Sequence, residues 1–196
     1  MKRWFQIQGW FNFADTYDRA VAHFPSGSHF VEVGCWKGRS SLYLLERIRE
    51  SGKDIWLTCV DHFKGSKEHG DVDGDALYAE FMENVRGYEG CELDVPRLPS
   101  LTVAKLFVDG SVDFVFLDGS HEEQDVYDDI AAWSPKLKPT GVLAGDDITE
   151  FPGVRSALLR HGFGTKERPL VLGGSAQPSW IVPPQGQEEA WKTPRS

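Results

Sequence analysis

The sequence predicts an α/β domain, a doubly wound and mostly parallel sheet of seven strands with helices on both faces and an antiparallel hairpin at one edge. Three observations carry this. Apolar runs of strand length alternate with segments whose apolar residues recur at helical spacing, the pattern of repeated strand–helix–strand units. Runs such as Ile55-Trp-Leu-Thr-Cys-Val60 lack the alternation of a half-exposed strand and suit strands covered on both faces. The last two strand candidates, 170–172 and 180–182, are joined by a connection too short for a crossover helix.

Residues 1–28 are rich in aromatics, among them Trp4, Phe5, Trp10, Phe11, Phe13, Tyr17 and Phe24. A helix is expected from Thr16 to His23, with Asp15 as N-cap and Tyr17, Ala20, Val21 and Phe24 available to pack. This segment either covers one face of the sheet or forms a lid whose aromatics also touch a ligand. The first strand, 29–34, runs into a tight turn, Gly34-Cys-Trp-Lys-Gly38. A helix over 40–51 follows, and Ser51-Gly52 ends it, glycine being the favoured left-handed cap. The second strand, 55–60, ends in Asp61.

Residues 62–75 are polar and glycine-rich and read as a loop, either solvated or a substrate-facing flap carrying Lys64, Lys67 and His69. A helix spans 76–85, a short strand 91–95, and Ser100 is placed as the N-cap of a helix reaching about Phe107. The fourth strand, 112–117, ends in Asp118-Gly119, and a helix over 122–133 stops at Pro135. Pro139-Thr-Gly141 is read as a turn into the fifth strand, 142–144, followed at once by Gly145-Asp146-Asp147. Pro152 opens a helix to Arg160, and His161-Gly162 closes it. The tail from Pro183 to Ser196 is polar, contains proline and is expected to fray.

A chain of 196 residues suits one domain with a full core. The net charge of −9 makes a nucleic acid a poor default partner, and no apolar run approaches the roughly 20 residues of a membrane helix. The N-terminus lacks the apolar core of a signal peptide. Cys35, Cys59 and Cys91 form no CxxC pair and no disulfide framework, so they are expected as buried thiols in a reducing cytoplasm.

The chemistry concentrates where strands end. In an open parallel sheet, ligands bind outside the carboxyl ends of the strands. Four strands place ionisable groups there: Glu32 with Gly34 and Gly38, Asp61, Asp118 with His121, and Asp146 with Asp147. Any one of these acids would pass as a solvated loop charge, but four strands each carrying one would not. Asp61 follows Gly34 by 27 residues, the position from which an acid bonds ribose hydroxyls. The glycines read GxxxG rather than the GxGxxG of a dinucleotide turn, which lowers the reading of an NAD-dependent oxidoreductase.

Taken together, VEVGCWKGRSS, VDHFKGS, VDFVFLDGSH and PKLKPTGVLAGDD resemble the class I S-adenosylmethionine-dependent methyltransferases, a Rossmann-like fold family. Within it they are most similar to the macrocin O-methyltransferase-like branch, with catechol-type enzymes more distant. The resemblance spans about residues 8 to 150. It implies an S-adenosylmethionine-binding domain over 29–183, flanked by an aromatic N-terminal lid, 1–28, and a polar tail, 184–196.

The resemblance also implies residue roles. Glu32, Gly34 and Gly38, with Cys35, Trp36 and Ser40 of the same turn, would line the methionine part of the cofactor. Asp61 would hold the ribose hydroxyls with His62 beside it, and Ser100 would lie near the adenine. Asp118, which also borders the cofactor, would bind a divalent metal with Asp146 and Asp147. Hard carboxylate oxygens suit Mg²⁺. His121 stands where catechol-type enzymes carry a lysine base, so Asp118 and His121 are the expected catalytic residues. His121 capping the following helix is the structural alternative. The implied reaction is methylation of a hydroxyl on a small molecule, a sugar or natural product, in the cytoplasm. A catalytically silent binding domain and an NAD-dependent enzyme remain alternatives, and an aromatic N-terminus is compatible with a homo-oligomer.

Two other motifs fall away. Asp71-Val-Asp-Gly-Asp75 begins like an EF-hand loop, but Ala76 and Met82 stand where that loop needs Gly and Glu. No GxSxG occurs for a serine hydrolase. His23, His29 and His161 lack metal-ligand spacing.

Overall fold

The computed structural model describes residues 2–66, 70–88, 91–174 and 178–192, so Lys67 and His69 of the expected flap, and the last four residues, lie outside the described residues. Seven strands form one sheet in the order β3-β2-β1-β4-β5-β7-β6. They are β1 (Ser28–Val33), β2 (Ile55–Val60), β3 (Leu93–Asp94), β4 (Val112–Leu117), β5 (Leu137–Gly145), β6 (Val171–Gly173) and β7 (Ser179–Val182). The first five are mutually parallel, and β7 runs antiparallel to both β5 and β6. The chain order therefore reverses between β1 and β4, which opens a crevice at their carboxyl ends.

The helices are α1 (Ala14–His23), α2 (Arg39–Ser51), α3 (Gly74–Val85), α4 (Ser100–Ala104), α5 (Glu123–Trp133), α6 (Pro152–Arg160) and α7 (Glu188–Trp191). They make two layers, because strand side chains alternate between faces. Phe30, Phe114 and Phe116 pack with Tyr17 of α1, Leu42, Leu45 and Ile48 of α2 and Phe81 of α3. Val31, Val33, Val115 and Leu117 face the other way, onto Val103 of α4, Val126 and Ile130 of α5 and Ala157 of α6. Among the described residues no helix is long and apolar enough to cross a membrane.

The structure corrects several expectations. Asp15 does not cap α1; its carboxylate accepts from the Gly174 amide, tying the helix to the edge hairpin, and the helix begins after Phe13. The strand β5 runs through Pro139 instead of turning there. Its pairing with β4 shifts between Val112 and Phe114, and such an irregularity is where a strand tolerates proline. The edge strand β3 is two residues long. The tail does not simply fray: α7 buries Trp191 against Phe24 and His23, with its ring parallel to that of Phe114.

Candidate active site

The sheet register brings the expected site together. Val33 pairs with Val60 and with Leu117, and Leu117 pairs with Gly145. The residues that follow, Gly34, Asp61, Asp118 and Asp146, therefore leave the sheet from one level edge.

Gly34 has φ of +85°, and a Cβ there would lie 2.1 Å from the Asp118 carbonyl oxygen and 2.6 Å from Gly119 Cα. Only glycine lets the turn after β1 lie against the end of β4, so the turn and the first acid of β4 are in contact. Gly38, also in the left-handed region, starts α2, and a Cβ there would press on the Phe81 ring at 3.0 Å. Between them Trp36 takes a positive φ of 47°.

Asp61 fastens this turn. Its Oδ2 accepts from the Cys35 amide at 2.9 Å and the Trp36 amide at 3.0 Å, and its Oδ1 accepts from the Phe63 amide at 2.6 Å. An ionised carboxylate offers about four acceptor directions, so about one remains for a ligand hydroxyl. His62 is on the surface, and its Nδ1 accepts from the Lys64 amide.

Other expected cofactor residues sit beneath the turn. Glu32 is fully buried and accepts from the Tyr17 hydroxyl at 2.8 Å and from Ser41. Burial pushes its pKa up, and hydrogen bonds from Ser40, Ser41, Tyr17 and Cys59 hold it back. Cys35 and Ser40 are likewise buried, and the Cys35 thiol donates to the carbonyls of Glu32 and Val60. Ser100 is the first residue of α4 rather than its N-cap, and its hydroxyl accepts from the Trp133 indole at 2.8 Å.

The acids at β4 and β5 form a separate cluster. A carboxylate oxygen of Asp118, a ring nitrogen of His121 and a carboxylate oxygen of Asp147 all lie within 4.8 Å of one another. His121 Nε2 is 2.7 Å from Asp147 Oδ2, and the His121 ring stacks on Phe151 at 3.9 Å. Asp147 reaches back toward His121 from a left-handed backbone, φ +68°. Asp146 lines the same pocket but is outside this cluster, and its carbonyl accepts from the Trp180 indole. Burial, then Asp147 and Asp146, and then Glu32, drive the Asp118 pKa well up. Burial and Asp147 raise that of Asp146 to about 7.

Burial and neighbouring acids raise the pKa of Asp118 and Asp146, and Asp147 is paired to an imidazole; this part-buried cluster carries charge that a divalent cation would offset, and its carboxylate oxygens fit one. The open acceptor direction on Asp61, at the mouth of a glycine turn, fits a ribose-bearing cofactor.

Phe151 and Gly153 take parts that the sequence left unmarked, and Tyr17, expected to pack or to line a lid, donates its hydroxyl to Glu32. A Cβ on Gly153 would lie 2.5 Å from the His121 carbonyl, so α6 seats directly under that residue. The one available signal was Phe151-Pro-Gly153 at a helix start, which reads as a cap and not as a support.

A family described as a methyltransferase domain matches residues 31–148, more than half of the chain. The uncharacterized protein y4gI of Sinorhizobium fredii (strain NBRC 101917 / NGR234) is 26% identical over 165 residues, 78% of this chain. The match spans only 17% of that relative's length. Among solved structures, the O-methyltransferase NovP aligns over 87% of this chain and 78% of its own, with a TM-score of 0.62 and 16% identity. The SAH-bound SMU.1697c protein of Streptococcus mutans aligns over 89% and 97%, with a TM-score of 0.62 and 9% identity. At these identities the likeness is one of fold.

Proposed function

The chain belongs to the methyltransferase-domain family, and on that premise we propose that it transfers a methyl group from S-adenosylmethionine to a hydroxyl oxygen of a small molecule with the help of a divalent cation. The observation that carries this reading is the contact between Gly34 and Asp118. That contact supports the reading, because it would set the seat of a methyl donor beside the acids proposed to hold what receives the methyl.

S-adenosylmethionine supplies an electrophilic methyl on a sulfonium, and a divalent cation supplies a Lewis acid that lowers the pKa of a bound hydroxyl. The chain's own part is alignment and deprotonation. Asp61 fixes the turn through the Cys35 and Trp36 amides and offers its remaining acceptor direction to a ribose hydroxyl. Glu32 supports the turn from below, through Tyr17 of α1 and Ser41 of α2. Asp118 and Asp147 would hold the cation, with Asp146 adjoining them in the pocket. His121, aimed across this cluster, accepts the hydroxyl proton as the O–CH₃ bond forms and the S–CH₃ bond breaks.

A panel of hydroxylated sugars and natural products, incubated with S-adenosylmethionine carrying a labelled methyl group, tests this reading. Label is expected in an ether product and should vanish when EDTA is added. Full turnover under chelation would remove the cation from the reading, and label on nitrogen or carbon would remove O-methylation.

A further inference from the structure

Asp147 serves two partners in the reading above. The cation site needs its carboxylate, yet in this structure that carboxylate is paired with His121. At 2.7 Å, Nε2 and Oδ2 face one another as donor and acceptor. Two ligands of one metal would instead both turn toward a shared centre. The histidine is the fixed member of the pair. Its ring lies on Phe151 at 3.9 Å and 21° to it, and its carbonyl sits over Gly153, where even a Cβ would collide at 2.5 Å. Asp147 follows Asp146 on the segment beyond β5, and both its oxygens belong to one short side chain. Asp118, the other acid of the cluster, lies within 4.8 Å of both His121 and Asp147, and burial, then the charges of Asp147, Asp146 and Glu32, push its pKa up.

We propose that His121 and a divalent cation compete for the Asp147 carboxylate, so that cation binding releases His121 Nε2 toward the acceptor. This rests on the cation-assisted reading and adds an order to it. Before the cation arrives, the Asp147 charge is satisfied by His121 and the imidazole is turned away from chemistry. Once the cation takes Asp147, the imidazole, still clamped on Phe151, would lose its Nε2 proton to solvent and could then present a bare Nε2 to the acceptor hydroxyl. The base is thereby made available only when there is a Lewis acid for it to work with.

The sign of one substitution effect tests this. Mn²⁺ is titrated into the wild-type protein and into His121→Ala and His121→Asn, with free Mn²⁺ followed by electron paramagnetic resonance. S-adenosylhomocysteine binding by each variant reports that it is folded. Competition predicts Mn²⁺ binding to His121→Ala that is about tenfold tighter than wild type, the equivalent of one charge-assisted hydrogen bond no longer opposing the cation. The effect for His121→Asn should fall between the two. Unchanged or weaker Mn²⁺ binding in both folded variants would overturn the proposal, weaker binding making His121 a ligand or a support for Asp147. If neither wild type nor variants bind Mn²⁺ while S-adenosylhomocysteine still binds, the cation-assisted reading falls and the competition with it.

Discussion

Replacing Gly34 by alanine would strain the protein at the junction on which its function is proposed to depend. The added Cβ would sit 2.1 Å from the Asp118 carbonyl oxygen and 2.4 Å from its carbon, where ordinary contacts begin at 3.4 Å. The obstacle is backbone, so one strand end must move by about 1 Å in a closely packed sheet. Left-handed φ adds about 1–2 kcal/mol for a residue with a Cβ. Overpacking adds about 1–3 kcal/mol. The expected loss is therefore about 3 kcal/mol, a large part of the roughly 5–15 kcal/mol that holds a domain together.

Gly52→Ala is the matched control. It too has a left-handed φ, +67°, but nothing lies within 4 Å of its added Cβ, so only the backbone strain of about 1 kcal/mol applies. Urea unfolding followed by circular dichroism should separate the two variants by about 2 kcal/mol, well outside extrapolation error. Equal losses would refute the reasoning that the turn is wedged against β4, and with it the adjacency of the two halves of the site.

Further outcomes follow from other parts of the structure. Trp191→Ala removes a fully buried ring packed on Phe24 and His23, so it should cost about 3–5 kcal/mol by urea unfolding; a change within about 0.5 kcal/mol would mean the tail is dispensable after all. The acid cluster should make stability fall with rising pH. Asp118 and Asp146 titrate higher when folded than when unfolded, so between about pH 4 and the raised values the folded protein binds more protons. That stability is present at the low end of the window and is lost as pH climbs through about 7 for Asp146. The melting temperature should thus be lower at pH 8 than at pH 6, Asp146→Asn should flatten the difference, and millimolar Mg²⁺ should restore part of it by binding only the folded cluster. A pH-independent melting temperature, with no response to Mg²⁺, would contradict the described cluster.

The sheet and its level edge were legible in the sequence because apolar strand runs, each ending in an acid, need no tertiary information to be seen. Which way an acid points did need it. Glu32 lies in a strand buried on both faces, where no alternation marks the side it takes; only the structure shows it bonded to Tyr17 and Ser41. Asp146 and Asp147 are adjacent and chemically identical, and a φ of +68° at Asp147 is what sends one toward His121 and leaves the other outside the cluster.

Local signals were overruled wherever a distant partner was stronger. Asp15 and Ser100 carry N-cap chemistry, but the Gly174 amide and the Trp133 indole claim them instead. Pro139 looked like a turn because a strand rarely holds proline, and the shifted pairing with β4 that permits it cannot be read along one strand. The tail's polar composition hid Trp191, whose burial depends on His23, Phe24 and Phe114, all distant in sequence.

On this reading the turn after β1 and Asp61 form the seat of the methyl donor. Calorimetric titration of the protein with S-adenosylhomocysteine tests it most directly, with NAD as the comparison ligand. Saturable binding of S-adenosylhomocysteine is expected, at least tenfold weaker in Asp61→Ala, since that change frees the Cys35 and Trp36 amides and removes the ribose acceptor together, roughly two hydrogen bonds of about 1 kcal/mol each. Absence of binding at millimolar S-adenosylhomocysteine, or binding of NAD in its place, would contradict it.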